Sequence, residues 1–268
     1  MRNVLLLAAW NACYTSAWPS TAIVGKTFKS TDFDEHSCSM VFIDAGANKG
    51  DTIQDFYAGR YHACTRNAGY RIERMPIDSF CVFSFEANPR WTPHLAHLVE
   101  QQGALGRRVT VFAETAVAET NGSVTFYQDM GTPRGEGASM MYSKPMKGNG
   151  EKRAITIPSI NFASFVQFYT NLGALIMVKL DIEGAEFHVL RSLITTGQAC
   201  KIDVMFIEWH DHKINMVYEH IPPSIQASLL WLLKAPGCRL KKVIRLDEYT
   251  TGLDPAFCLS RKHDNHRS

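Results

Sequence analysis

Short, uninterrupted apolar runs alternate with amphipathic stretches along this chain, and that alternation leaves few architectures open to it. Residues 41–46 (VFIDAG) form one such run and end in a glycine turn; residues 49–61 then carry Ile53, Phe56 and Tyr57 at helical spacing. The pairing recurs. Apolar runs predict strands over 81–85, 109–118, 175–180 and 204–207, and the stretches 93–102, 162–169, 185–193 and 224–234 predict helices. A strand that is apolar on both faces has to be covered on both, as in a parallel sheet between two helical layers. The expected fold is α/β: one doubly wound domain over residues 38–262 with a mostly parallel sheet. Two closing strands, 240–246 and 257–259, are expected to form an antiparallel C-terminal edge.

The middle of the chain follows different rules. Asn121-Gly122 is the dipeptide favoured in two-residue hairpin turns, and here it leads into a strand over 124–128. Residues 155–157 predict a further short strand. The stretch 131–153 holds five Gly and two Pro and predicts a long loop. Gly135, Gly137, Met140, Met141 and Tyr142 are candidates for an apolar lid. Lys144, Lys147, Lys152 and Arg153 are expected to be solvated charges.

In open parallel sheets, ligands bind beyond the carboxyl ends of the strands. Asp44, Glu86, Glu114, Asp181 and Glu208 end the five central runs. Five acids together suit a ligand that is cationic and rich in hydroxyls. The first turn (DAGANKGDT, 44–52) departs from the dinucleotide pattern, in which glycines stand at positions one, three and six and a pyrophosphate rests on the helix N-terminus. Asn48 replaces the middle glycine, Gly50 comes too early, and Asp51 brings negative charge to the helix start. Such a turn repels a pyrophosphate and accepts a cation, and Gly46 and Gly50 allow close backbone approach. Glu86, in the segment FEANP with Asn88, can accept both hydroxyls of a ribose. S-adenosylmethionine meets these conditions, with a ribose, an ammonium, a sulfonium and no phosphate. The competing readings are an NAD-dependent oxidoreductase, opposed by the missing GxGxxG and by Asp51, and a catalytically silent protein that binds the same cofactor. With 28 Lys+Arg against 26 Asp+Glu, the net charge of +2 gives no field for holding nucleic acid. No run of 18 apolar residues exists, so no integral membrane span is expected.

At these residues the chain resembles the FkbM family of S-adenosylmethionine-dependent methyltransferases. The resemblance rests on VFIDAGANKGDT (41–52), FSFEANP (83–89), AVAETNGSVTFY (116–127), VKLDIEGAEFHVLRSL (178–193) and IEWH (207–210). It implies a class I, Rossmann-like methyltransferase domain acting on a hydroxyl of a sugar, glycan or small metabolite. It also implies that Asp44, Gly46, Asn48 and Gly50 hold the methionine side of the cofactor. Glu86 and Asn88 would hold the ribose, and Glu114, Thr115 and Ala116 would flank the adenine. The chain departs from the family at Phe162-Ala163, where relatives often carry Leu-Asp.

Methyl transfer to a hydroxyl needs the acceptor oxygen in line with the methyl group, and it benefits from a base. Asp181 is the expected positioning group or base. His210, which ordinarily titrates near neutrality, is the second candidate base, with Glu208 beside it. Glu183 and Glu186 are expected to serve the N-terminus of the following helix. Asp181, Glu208, His210 and His212 could alternatively ligate a divalent metal. Two histidines in a His-x-His arrangement on an extended segment point to opposite faces, so no metal is assigned.

The N-terminus has Arg2, an apolar run over 4–10, and the small residues Thr15 and Ala17, the pattern of a secretory signal peptide over residues 1–17. Beyond it lie Cys38, Cys64, Cys81, Cys200, Cys238 and Cys258, an even number that permits disulfides. Cys81 and Cys258 are expected to be buried thiols within strands. A cleaved signal implies the secretory pathway or the extracellular space; an uncleaved one implies the cytoplasm. Asn121-Gly122-Ser123 is also a glycosylation sequon, which acts only if the signal does.

Overall fold

The structure, a computed structural model, describes residues 23–24, 38–65, 75–131, 138–140, 152–171, 174–210 and 221–246. Its main sheet contains β1 (Ile23–Val24), β2 (Met40–Ala45), β3 (Phe80–Glu86), β4 (Arg108–Ala113), β8 (Leu175–Leu180), β9 (Val204–Glu208) and β10 (Lys242–Leu246). The order is β1-β4-β3-β2-β8-β9-β10, and every pair is parallel except β1 with β4. The doubly wound parallel sheet is therefore present. The strand over 242–246 runs parallel to β9, so the expected antiparallel C-terminal edge does not begin there. The segment 257–259 lies outside the described residues, as do the segment 1–17, His212 and Cys258.

Alternation along β2 explains why its run is continuous. Val41, Ile43 and Ala45 enter one core with α4 (Phe162–Asn171), α5 (Glu186–Thr195) and α6 (Ile221–Leu232). Met40 and Phe42 enter the other, with α1 (Asp51–Tyr57), α2 (Arg60–Thr65) and α3 (Thr92–Ala104). Phe42 stacks on Phe56 of α1 with ring centroids 4.4 Å apart. Each buried Phe of this kind contributes roughly 1.5–3 kcal/mol relative to exposure. Phe162 and Ala163 begin α4 inside the first core, and the Asn161 side chain caps that helix by accepting from the Ser164 N–H.

Chain order places the site. After the edge strand β1, the chain enters the centre of the sheet with β2, moves outward through β3 and β4, then returns to the other side of β2 with β8. The carboxyl ends of β2 and β8 thus flank the topological switch point, where ligands enter such sheets.

A second sheet is inserted before the return. It comprises β5 (Ala116–Ala118), β6 (Gly122–Asp129) and β7 (Lys152–Asn161) in the order β5-β7-β6. This corrects two expectations. The run 109–118 is broken at Glu114 (φ +55°) into strands of different sheets. Asn121-Gly122 does not close a hairpin of paired neighbours, because β7 lies between β5 and β6. The Asn121 side chain instead accepts from the Asn161 N–H. The loop expected over 131–153 is cut short by β7, which begins at Lys152; residues 132–137 and 141–151 lie outside the described residues, and Ser139 pairs with Tyr127 through two backbone hydrogen bonds.

The opposite, amino end of the main sheet is fastened covalently. Cys81 is not a free thiol: it is bonded to Cys38, joining the starts of β3 and β2. Cys200 is bonded to Cys238. Between them Asp203 accepts two bonds from Arg239 and one from the Ile176 N–H. Among the described residues no helix is long and apolar enough to cross a membrane.

Candidate active site

Register alone brings the first charged group to the site. Asp44 of β2 stands opposite Ser84 of β3 and Lys179 of β8, so all three share one face of the sheet. Ser84 donates to the Asp44 carboxylate at 3.3 Å, and the Lys179 ammonium lies 3.4 Å from it. That ammonium also donates to the Gly46 carbonyl and to Asp181, each at 3.0 Å. Burial works against its charge, but Asp181 and Asp44 win and hold Lys179 protonated. Asp44 is fully buried and does not reach the cavity; burial lifts its pKa against the pull of Lys179. Sequence reading missed Lys179; the strand register sets VFIDAG (41–46) beside IMVKLD (176–181), which brings Lys179 opposite Asp44.

The turn after β2 closes around this lysine. Gly46 has φ +92°, and a Cβ there would lie 1.8 Å from the Asp181 carbonyl oxygen. Only glycine permits that approach of β2 to β8. The Gly46 and Ala47 N–H groups both donate to the Phe85 carbonyl. Gly50 serves packing rather than a ligand, since its Cβ would lie 2.3 Å from a Leu98 methyl of α3.

Glu86 ends β3 and is clasped from both sides. The Asn48 N–H donates to one carboxylate oxygen at 2.6 Å and the Asn88 N–H to the other at 2.7 Å. Burial pushes its pKa up to about 7, against those two bonds. Glu86, Asn48 and Asn88 line a cavity that continues to Ala87 and Trp91 on one side and to Thr115, Ala116 and Val117 on another. Phe126 of the second sheet, with Ala138 and Met140, closes it over. Met140 of the expected lid therefore does face the cavity; Gly135, Gly137, Met141 and Tyr142 lie outside the described residues. Glu114 turns away and accepts from the Thr92 hydroxyl near the start of α3.

The far end of the cavity is acidic. Asp181, Ile182 and Glu183 line it, and Ser139 donates to the Glu183 carbonyl at 2.6 Å. The charges of Asp181 and Glu208 act on each other. Burial, then the charge of Asp181, pushes Glu208 up to about 7. Partial burial works against the Asp181 carboxylate, yet Lys179 and His210 hold it below the ordinary carboxylate value. His210 has its Nδ1 2.9 Å from the buried Glu186, which also accepts from the Ile182 and Gly184 N–H groups. Burial disfavours the imidazolium, but Glu186, Asp181 and Glu208 push His210 up to about 9, so it carries a proton at neutral pH. Its Nε2 lies 3.6 Å from Glu183 and 3.9 Å from Glu208.

The cavity thus pairs a clasped carboxylate and an apolar slot with the edge of an acid–histidine cluster: Asp181 and Glu183 line it, whereas Glu208 and His210 stand behind them. The family model for the methyltransferase FkbM domain matches residues 44–227. The chain belongs to the FkbM methyltransferase family. No curated protein and no solved structure matches it. The matched span of this FkbM methyltransferase holds every cavity residue named above. Among the described residues, each disulfide has one partner outside that span, Cys38 in one and Cys238 in the other.

Proposed function

We propose that this methyltransferase uses S-adenosylmethionine to methylate a hydroxyl of a sugar, glycan or small metabolite. The observation that carries the reading is the Glu86 carboxylate, fixed by the Asn48 and Asn88 N–H groups and facing an apolar slot. A carboxylate so held suits the two hydroxyls of a ribose. The slot between Trp91, Thr115 and Ala116 suits an adenine, and the acidic end suits the cationic methionine portion. No phosphate cradle accompanies them, because Asp51 opens α1.

S-adenosylmethionine supplies a methyl group on a sulfonium centre. The chain's part is to orient the acceptor hydroxyl and to take its proton. Asp181, ionised beside Lys179, holds the acceptor by accepting a hydrogen bond. Glu208, with a pKa of about 7, takes the proton. His210 is protonated at neutral pH, so it serves as a donor that steadies the two acids rather than as the base.

The two disulfides among the described residues support folding in an oxidising compartment, and with it the secretory pathway or the extracellular space. Calorimetry with S-adenosylmethionine and NAD tests the cofactor. Extracts incubated with a labelled methyl donor and analysed by mass spectrometry test the acceptor. Cofactor binding with no labelled product from any extract would favour a catalytically silent protein.

A further inference from the structure

We propose that Asp181, Glu183 and His210 form a binding site for a divalent cation of the manganese type. Each offers one ligand atom, and the three atoms lie within 4.8 Å of one another. An ion bound at about 2.1 Å sets its ligands roughly 3.0–4.2 Å apart, so a contraction of a few tenths of an ångström closes the shell. The His210–Glu183 separation of 3.6 Å already falls in that range.

An independent contact supports the site from outside. His210 is 3% exposed, and its Nδ1 is engaged by Glu186, which is not itself a ligand. A metal-binding histidine characteristically gives its other ring nitrogen to a carboxylate, which fixes the ring and turns the ligating nitrogen toward the ion. Glu186 is fixed in its turn by two backbone N–H groups of the Asp181–Gly184 turn, which carries the other ligands. Charge balance points the same way. Asp44, Asp181, Glu183, Glu186 and Glu208 crowd this end of the sheet; among the described residues Lys179 and, when protonated, His210 face them, and a bound ion takes the place of the His210 Nε2 proton while adding positive charge. One imidazole with two carboxylates suits manganese better than the all-oxygen sites of magnesium or calcium.

Two of the three ligands line the cavity, so the open coordination positions face it. The role of the ion rests on the methyl-transfer reading; its binding does not. An acceptor hydroxyl enters an open position, and its proton passes to Glu208. The oxygen forms its bond to the methyl carbon as the carbon–sulfur bond breaks, and that electron pair stays on sulfur as a neutral thioether.

The purified full chain, stripped with chelator, is titrated with manganese chloride in the absence of any methyl donor and followed by electron paramagnetic resonance. Stoichiometric binding of one ion is expected, with a dissociation constant of about 100 µM or tighter. Pulsed measurements on the wild-type complex are expected to show coupling to an imidazole nitrogen. Glu183→Gln should weaken binding about tenfold or more while leaving the melting temperature within a few degrees, and the exposed Glu100→Gln should leave binding unchanged. Absence of stoichiometric binding at millimolar manganese, absence of nitrogen coupling, or binding indifferent to Glu183→Gln overturns the site. Ion binding in a chain that does not bind S-adenosylmethionine would leave the cation site standing and remove the proposed function.

Discussion

At the scale of single residues, the acids of the site are not equivalent. Folding raises Glu86 from 4.5 to about 7, so the fold favours its protonated form. That contribution to stability is full below about pH 4.5 and gone above about pH 7. Glu208 behaves in the same direction, and His210, raised from 6.5 to about 9, loses its contribution as pH rises through about 9. Asp181 has the opposite sign, but it acts at the acidic extreme. Scanning calorimetry should therefore show the melting temperature falling from about pH 5 to about pH 9; a steady rise over that window would contradict these assignments. Cofactor binding runs the other way. On the proposed function the ionised Glu86 is the ribose acceptor, so affinity should climb from about pH 6 to about pH 8, and Glu86→Gln should flatten the profile and weaken binding by about 1.5–3 kcal/mol. Lys179→Met leaves the buried Asp44 and the partly buried Asp181 without their cation and should cost roughly 3–5 kcal/mol of stability by denaturant titration. Glu208→Gln should lower kcat about a hundredfold or more while the melting temperature stays near that of the parent. Glu86 and Asp181 were legible in the sequence because each ends an apolar run. Lys179 was not, because its meaning comes from the register of two strands 133 residues apart in sequence between Gly46 and Lys179. Glu114 was misleading because a left-handed backbone at the strand end turns its side chain to α3.

Among the elements, the central strands and the helices α4, α5 and α6 follow from apolar periodicity. The inserted sheet does not. Its strands are half-exposed, and β7 pairs with two partners from earlier in the chain, so neither periodicity nor the Asn-Gly turn reveals the order β5-β7-β6. The disulfides were equally hidden. Cys38, just before β2, meets Cys81 near the start of β3 because those two strands lie side by side, which spacing along the chain does not encode. Their sequence separation of 43 closes a large loop. Reduction of that bridge alone should lower stability by about 2–4 kcal/mol. The check is a denaturant titration of Cys38→Ala/Cys81→Ala against the parent. Unchanged stability would mean that the bridge does not form in solution. Because the bridge lies at the amino end of the sheet, cofactor affinity should be unaffected.

For the molecule as a whole, a doubly wound sheet puts its chemistry at one end and its fastenings at the other. The switch point between β2 and β8 brings Gly46 against Asp181, and β9 delivers Glu208 and His210 beside them. The second sheet roofs the cavity through Phe126, Ala138 and Met140. The family model covers this whole arrangement, and the cofactor reading rests on its shape and charge. Isothermal titration of the intact chain with S-adenosylmethionine, beside NAD, tests that reading most directly. One molecule of S-adenosylmethionine should bind per chain with micromolar affinity, weakened by Glu86→Gln, while NAD gives no heat. Silence toward S-adenosylmethionine at millimolar concentration, or tighter binding of NAD, would contradict it.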